Sequence, residues 1–392
     1  MTSRPESLTI VVMTYNRYPR LLRLLHYAAS MQLPYPIEIL DSSSDTAPSN
    51  LQERLSRANA RHRTYDATIP PMHKLRDGLS SVSTPYVVQW ADDDFLVPGS
   101  LAQGVQWLTS HPDYSVAHGQ SVLLQMEKVG DQSVLGIMPY WQRAVLQDTA
   151  AERLRDQLRH HAVLNYSIHR TKDLMRHVDL CCRHDFGYTW AELALGALAV
   201  IQGKAMKMDQ LYLAKETHAG TDAWLAWLRH TQQTDQAPDV FDWVSDESFA
   251  KKFTAFRDGL AEALSQQDGI AFSQAQDVVK EAFWSYLASV LMKKYQGRYN
   301  VKQPGLRGRL RETARAVPGL RKLWRKAQFA LPHRHDALSL PALSQSSSRY
   351  HEDFLPIYQA MMSMAEEVAS PNATRIDGHE VGASVATAQR VS

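Results

Sequence analysis

The first part of the chain alternates between short continuous apolar runs and segments with helical spacing. Residues 8–13 form an uninterrupted, mostly β-branched run, which is typical of a strand buried on both faces of a parallel sheet. After a polar turn, leucines recur at helical spacing over 21–25, and residues 37–40 form a second apolar run before a polar loop. The pattern predicts a βαβ unit, and the carboxyl ends of its strands are where open α/β sheets bind ligands.

This alternation continues along most of the chain and then gives way to helical spacing alone. Further strands are predicted at 86–90, 114–124 and 207–214, and a polar loop at 184–188. Helices are predicted at 47–59, 74–81, 100–109, 150–161, 172–180, 190–202, 224–295 and 351–368. The predicted fold class is therefore α/β, with a mixed, mostly parallel sheet flanked by helices and an all-helical C-terminal region.

Three adjacent carboxylates follow the predicted strand at 86–90. Asp92, Asp93 and Asp94 repel one another at the end of an apolar run, which is costly unless a cation neutralises them. Oxygen ligands suit Mg²⁺ or Mn²⁺, and Mg²⁺ commonly takes one or two carboxylates together with substrate phosphates. The alternative interpretation is an acidic turn that caps the helix beginning after Pro98.

Composition excludes several classes of protein. The 392 residues are 44% hydrophobic and 21% charged, as in an ordinary globular protein, and the net charge of +2 gives no reason to expect nucleic-acid binding. The two cysteines, Cys181 and Cys182, are adjacent, so we expect no disulfide framework and a cytoplasmic location. We also expect no signal peptide and no membrane-spanning segment, because no sufficiently long apolar run occurs.

The C-terminal third changes character. Residues 302–335 carry ten Lys and Arg against one acid, Glu312, and Leu, Trp324 and Phe329 are interleaved with these charges. Two interpretations remain open: a solvated basic helix pair packed on the protein, or a surface that lies on anionic lipid. The predicted organisation is a catalytic domain over 1–222, a helical region over 223–335, a terminal helix over 336–369 and a disordered tail over 370–392.

Four motifs together resemble the GT-A fold glycosyltransferases, and among them the large inverting group (family 2-like) that uses nucleotide sugars. They are the opening strand and loop at 10–17, the second strand and loop at 38–45, the Asp run as an Asp-x-Asp motif, and Trp190-Ala191-Glu192 as the late acid near the acceptor. The resemblance covers residues 7–222, and each motif lies at the strand end and in the order that such a domain requires.

On the donor side, the resemblance implies a nucleotide-diphosphate sugar and a Mn²⁺ or Mg²⁺ cofactor. Asp93 is the first choice as metal ligand, Asp92 reaches the ribose or shares the metal, and Asp94 is a second ligand or a helix cap. Asp41 is expected to touch the base, and Lys74 or Arg76 to balance the diphosphate. The remaining expected donor and metal contacts are Thr14, Tyr15, Asn16, Arg17 and His218. Relatives often have an acid where this chain has Ala91, which leaves the division of roles within the Asp run open.

On the acceptor side, the resemblance implies a general base that takes the proton from an acceptor hydroxyl. Glu192 occupies the place where the group carries its base, on the first turn of an apolar helix. Relatives often have a second acid where this chain has Leu193, so Asp185 is a rival for the base. The alternative for Glu192 is an acid that merely stabilises a helix N-terminus.

The function implied is a metal-dependent inverting glycosyltransferase of cell-surface polysaccharide synthesis, with a glycan or lipid-linked acceptor. It would be cytoplasmic, with peripheral contact to an anionic membrane. One alternative is a nucleotidyltransferase that makes nucleotide sugars, which would want a glycine-rich loop where residues 14–19 contain no Gly. Another is a sugar-binding module that keeps the fold without the chemistry, since fold alone does not settle function.

Overall fold

The computed structural model describes residues 7–129, 132–217, 240–299 and 337–369. Within those ranges nine strands join in one mixed sheet: β1 (Leu8–Thr14), β2 (Ile37–Asp41), β3 (Ala60–Thr64), β4 (Tyr86–Ala91), β5 (Phe95–Leu96), β6 (Tyr114–Val129), β7 (Gln132–Tyr140), β8 (Ile168–Arg170) and β9 (Lys204–Glu216). Their order is β3-β2-β1-β4-β8-β6-β9-β5, and β7 pairs with β6.

Helices cover both faces of this sheet. In the described residues they are α1 (Tyr18–Ser30), α2 (Leu51–Arg57), α3 (Pro71–Ser80), α4 (Pro98–Ser110), α5 (Ala150–Arg159), α6 (Thr171–Arg183), α7 (Gly187–Gln202), α8 (Val240–Ser245), α9 (Phe249–Asp268), α10 (Phe272–Tyr299), α11 (Leu340–Leu343) and α12 (His351–Ala369). The predicted α/β class, a mixed sheet flanked by helices with a helical C-terminal region, is confirmed.

The parallel half of the sheet fixes the position of the functional edge. β1 is hydrogen-bonded on one side to β2 and on the other to β4, both in parallel. In this register Thr14 lies opposite Asp41, and Met13 lies opposite both Leu40 and Ala91. The carboxyl ends of the three strands therefore meet at one edge of the sheet, and the loops that follow them lie side by side.

Alternate side chains of these strands enter two separate cores. Ile10 and Val12 face a core closed by α1, α4 and α12, whereas Val11 faces a core closed by α3 and α5–α7 together with α9 and α10. This alternation follows from the two-residue side-chain period of a strand. Both faces of β1 are buried, which is why its sequence is continuously apolar.

The C-terminal elements add to these same two cores. Phe256 of α9 and Phe283 of α10 pack against Trp190 of α7, with ring centroids 5.3 and 5.4 Å away. On the opposite face of the sheet, Phe354 and Ile357 of α12 are fully buried beside α1. None of the described helices is long and apolar enough to cross a membrane. The predicted domain boundary at 222, the basic segment at 302–335 and the tail at 370–392 lie outside the described residues.

Candidate active site

A cavity of about 460 Å³ opens at the carboxyl ends of β1 and β4. Its walls combine charged side chains with an apolar floor from the strands and from α3 and α7. The lining residues with chemistry are Thr14, Tyr15, Arg17, Ser42, Lys74, Asp92, Asp93, Tyr166, Glu192, Lys215 and Glu216. Six of the site residues predicted on the donor side, and one of the two predicted bases, therefore face one cavity.

The Asp run turns sharply as β4 ends, and one guanidinium joins its first two members. The amide of Asp94 donates to the carbonyl of Ala91 (3.1 Å), which closes the turn. Asp92 Oδ2 accepts a hydrogen bond from Thr14 Oγ1 (2.7 Å), and Asp92 Oδ1 lies 2.9 Å from Arg17 Nη1. The other terminal nitrogen of Arg17 pairs with Asp93 Oδ2. Buried Arg17 thus offsets the repulsion between two neighbouring carboxylates.

Burial still makes the charge on the Asp run costly. It raises the pKa of Asp92 to about 6, although the charge of Arg17 opposes this shift. Burial likewise raises the pKa of Asp94 to about 7, against the charge of Lys215. Two carboxyl groups of the run therefore hold protons more readily than free Asp does, and further positive charge in the cavity would favour their ionised forms.

Asp94 faces away from the cavity and supports β9. Its Oδ1 accepts a hydrogen bond from the amide of Glu216 (3.0 Å), and its Oδ2 lies 3.7 Å from Lys215 Nζ. Its carboxylate is not part of the cavity lining. The predicted roles of Asp94 were metal ligand or cap of the following helix. In the structure its carboxylate instead links the end of β9 to the Asp run.

The loop after β1 divides its residues between the cavity and the neighbouring loop. Thr14, Tyr15 and Arg17 line the cavity, whereas Asn16 does not. Asn16 has a positive φ of 51°, and its Oδ1 accepts hydrogen bonds from the amides of Ser44 (2.8 Å) and Asp45 (3.1 Å). Asn tolerates this left-handed conformation better than most residues, so Asn16 ties the two loops together and leaves its neighbours facing the cavity.

Asp41 is fully engaged within the protein. Its Oδ1 accepts from the amide of Ser43 (2.8 Å), and its Oδ2 accepts from Tyr18 Oη (3.0 Å) and lies 2.9 Å from His62 Nε2. Burial opposes ionisation, but these hydrogen bonds outweigh it and lower the pKa of Asp41. Asp41 does not line the cavity, and its neighbour Ser42 does.

Lys74 brings a cation to the same edge from α3. Its Nζ donates to the carbonyl of Thr14 (3.0 Å) and to Ser42 Oγ (2.7 Å). These two hydrogen bonds connect the end of β1 to the residue that follows β2. The side chain is buried, and burial lowers the pKa of Lys74 to about 8. Lys74 is therefore mostly protonated at neutral pH and faces the space between the two loops.

The two candidate bases are separated by the structure. Glu192 lines the cavity from α7, and its carbonyl accepts a hydrogen bond from Asn165 Nδ2 (3.3 Å). Asp185 lies outside the cavity lining, is exposed, and forms an ion pair with Lys252 (2.9 Å). α7 begins at Gly187, earlier than predicted, so Glu192 lies in its second turn and not in the first. This placement also weakens the alternative of an acid at a helix N-terminus.

Three further charged residues of the site were not singled out from the sequence. Lys215 and Glu216 end β9 and line the cavity, and Lys215 Nζ lies 4.7 Å from the centroid of the Tyr166 ring. Arg23 of α1 pairs with Glu216 and donates to the carbonyl of Asp93 (2.9 Å). The available signal was a charged pair directly after an apolar strand, as at Asp92. Nothing local in the sequence of α1 indicates the role of Arg23.

The donor set suits a divalent cation that arrives with phosphate oxygens. Among the described residues no group of three or more His, Cys, Asp and Glu side chains is arranged to hold a metal ion. Two carboxylates, Asp92 and Asp93, nevertheless line the cavity together, and Mg²⁺ commonly takes one or two carboxylates plus substrate phosphates. His218, the third predicted metal residue, lies outside the described part of the chain.

The sequence matches no protein-family model and no curated protein sequence. Among solved structures the fold is similar to S. aureus TarS, at 13% identity and a TM-score of 0.38, over 72% of this chain and 54% of that one. It is also similar to TarS 1-349 in complex with UDP-GlcNAc, at 13% identity and a TM-score of 0.38, over 75% and 92% of the two chains. The present chain thus spans about half the length of the longer TarS chain.

Proposed function

We propose that this protein is an inverting glycosyltransferase that moves a sugar from a nucleotide-diphosphate donor to a hydroxyl of a glycan or lipid-linked acceptor. The observation that carries the proposal is the shared cavity, in which the Asp92–Asp93 carboxylates and Lys74 face the same space as Glu192. Such enzymes need a charged site for the leaving diphosphate and a carboxylate for the acceptor within one pocket. Cell-surface polysaccharide synthesis on the cytoplasmic face of a membrane is the setting we propose.

On the donor side, charged residues attract the diphosphate and hold the proposed metal ligands in place. Lys74 supplies a buried cation next to the loops that follow β1 and β2, where it attracts a diphosphate. Arg17 pairs with one oxygen of Asp92 and one of Asp93, and both of these residues line the cavity. A Mn²⁺ or Mg²⁺ ion held by Asp93, with Asp92, would neutralise charge on the leaving nucleoside diphosphate when bound.

On the acceptor side, Glu192 acts as the general base. It takes the proton from the acceptor hydroxyl while that oxygen bonds to the anomeric carbon of the donor. The bond between the anomeric carbon and the diphosphate oxygen breaks in the same displacement, and the electron pair leaves with the nucleoside diphosphate. Attack from the face opposite the leaving group inverts the configuration of the sugar.

A donor screen scored by nucleoside diphosphate release tests the proposal, with Mn²⁺, with Mg²⁺ and with a chelator. The matched pair Glu192→Gln and Asp185→Asn distinguishes the bases, because each change removes one carboxylate at nearly constant shape. We expect Glu192→Gln to lower transfer about 10²–10⁴-fold while donor binding persists, and Asp185→Asn to stay near wild type.

The other outcomes of the screen identify the rival functions. Release of pyrophosphate from a nucleoside triphosphate and a sugar phosphate would identify a nucleotidyltransferase. Donor binding without turnover for any acceptor would identify a sugar-binding module. An inactive Asp185→Asn beside a near-normal Glu192→Gln would move the base to Asp185.

A further inference from the structure

An apolar stripe runs along the outer face of α10. The inner face of this helix buries Val279, Phe283 and Leu287 in the protein. On the opposite face Trp284, Met292 and Tyr295 are 46%, 57% and 49% exposed. Position 288 falls between them at helical spacing and is Ala, whereas Leu291 is partly buried and packs against the inner core. Three large apolar side chains in one row are unusual on a free surface, because burying them would be favourable.

The charge along this stripe is one-sided. From Phe283 to Tyr299 the helix contains three basic residues and no acid. Lys294 and Arg298 are spaced four residues apart along one flank of the row, whereas Lys293, nine residues after Trp284, lies on the opposite side of the helix. The acids of α10 lie in its first turns, where Glu281 is neutralised by Arg155 (2.9 Å) and Asp277 is exposed. The chain that follows continues the bias, with ten Lys and Arg against one acid over 302–335. The apolar row and the positive charge thus occur together.

This combination fits a lipid surface better than a protein partner. Trp and Tyr have an apolar ring and a polar edge, which suits the boundary between lipid headgroups and acyl chains. Lys and Arg beside such a row are attracted to anionic headgroups. We propose that the stripe of Trp284, Ala288, Met292 and Tyr295, termed the α10 stripe, lies on an anionic lipid surface. The proposal stands independently of catalysis in the cavity.

Vesicle flotation of the full-length chain tests the stripe. Phosphatidylcholine vesicles with and without phosphatidylglycerol are compared at low and high salt. We expect binding to the anionic vesicles only, weakened by salt because screening shortens the range of the attraction. The change Trp284→Ser, Met292→Ser and Tyr295→Ser should lower the bound fraction about tenfold or more, since it removes most of the apolar area that enters the headgroup region.

A matched control uses equally exposed apolar residues elsewhere. Met138, Trp141 and Leu146 are 50%, 57% and 49% exposed, and changing all three to Ser should leave vesicle binding unchanged. A second variant, Lys294→Glu, keeps the apolar row and should also weaken binding to anionic vesicles. Melting temperatures of all variants exclude unfolding as the cause, and nucleoside diphosphate release in solution is measured in parallel to keep the proposed catalysis a separate question.

Four results would overturn the proposal. The first is absence of vesicle binding at any salt, and the second is equal loss in the control triple variant. The third is full retention by the stripe variants together with complete loss when Arg321, Lys322, Arg325 and Lys326 become Glu, which would assign the contact to the basic segment alone. The fourth is a change in oligomeric state by analytical ultracentrifugation in the stripe variants, which would identify a second copy of the chain as the partner.

Discussion

Arg17 offsets the electrostatic repulsion between the first two carboxylates of the Asp run. Asp92 and Asp93 lie side by side and are buried, so their ionised forms repel each other and lose hydration. The planar guanidinium of Arg17 pairs with one oxygen of each, which a lysine ammonium could not do with the same geometry. Arg17 therefore holds two carboxylates at the cavity in the free protein, where the proposed diphosphate-bound cation would meet them already positioned.

The first prediction at this scale concerns Asp93. Asp93→Asn removes one charged ligand at nearly constant volume, so the Mn²⁺ concentration for half-maximal nucleoside diphosphate release should rise about tenfold or more. Asp94→Asn is the matched control, because Asp94 does not line the cavity and contacts the end of β9 instead. Electron paramagnetic resonance of Mn²⁺ with nucleoside diphosphate gives the affinities directly. Identical Mn²⁺ affinities for Asp93→Asn and wild type would remove Asp93 from the metal site.

Lys74 gives a second prediction, on pH. Its lowered pKa of about 8 means that the ammonium is charged below that value and loses its charge as the pH rises through it. Donor affinity should therefore fall between pH 7 and pH 9. Lys74→Met should bind donor about 1.5–3 kcal/mol more weakly at pH 7 and show no further fall, because a charge-assisted hydrogen bond is lost. Arg76→Met, on the exposed side of the same helix, is the control. Isothermal titration calorimetry measures the donor affinity of both variants across this pH range. A pH profile of Lys74→Met identical to that of wild type would show that Lys74 is not the group that binds the diphosphate.

At the scale of elements, sequence patterns located the strands that carry the site. β1, β2 and β4 were predicted within one residue at each end, because strands buried on both faces read as unbroken apolar runs. β3 was missed because its sequence, Ala-Arg-His-Arg-Thr, is polar, and only pairing with β2 makes it a strand. β7 and β8 were missed for a related reason: both are defined by antiparallel pairing with β6, which no local pattern records.

Predicting which strand-end side chains face the cavity was less successful. Asp92, Asp93 and Arg17 do line it, since residues in the loop directly after a parallel strand lie near the functional edge, and Lys74 reaches the same edge from α3. Asp41 lies at the same edge, but its side chain turns to His62 and Tyr18. The direction in which a strand-end side chain points depends on neighbours from distant parts of the sequence. A single sequence without its fold does not reveal those neighbours.

Three buried histidines give the sheet and α6 a sensitivity to acid. Burial lowers the pKa of His118 and His169 to about 4 and that of His177 to about 3. In the unfolded chain these groups protonate near pH 6.5. Between pH 6.5 and pH 4 the unfolded state therefore binds more protons than the folded state, and the free energy of unfolding falls as the pH falls. Asp92 and Asp94 act in the opposite direction, because their raised pKa values make the folded state bind protons first.

A comparison of variants isolates the contribution of His177. His177→Leu cannot protonate, so it should lose about 2 kcal/mol less stability than wild type between pH 7.5 and pH 5. Urea denaturation at both pH values measures the difference. Parallel slopes for His177→Leu and wild type would show that His177 is not neutral in the folded protein.

At the scale of the whole molecule, the C-terminal helix α12 reaches the candidate site through one arginine. Met361 Sδ accepts a hydrogen bond from Arg23 (3.3 Å), and Arg23 donates to the carbonyl of Asp93 and pairs with Glu216. Arg23 also lies over the ring of Phe95 at 5.0 Å. The last described helix thus closes the core beneath the Asp run, although the sequence alone suggested only a terminal helix over 336–369.

If α12 is part of the core, its two faces must respond differently to truncation. Phe354 is 1% exposed, whereas its neighbour Leu355 is 40% exposed. Phe354→Ala should lower the free energy of unfolding by about 3–5 kcal/mol, because it leaves a cavity beside α1. Leu355→Ala, in the same helix, should cost less than about 1 kcal/mol. Urea denaturation of the full-length chain gives both values.

A helix that is only appended to the catalytic domain would give small and equal losses of unfolding free energy for the two variants. The urea unfolding transition would then separate into two steps. A single transition with a large difference between the neighbours would establish that the sheet, Arg23 and α12 unfold together.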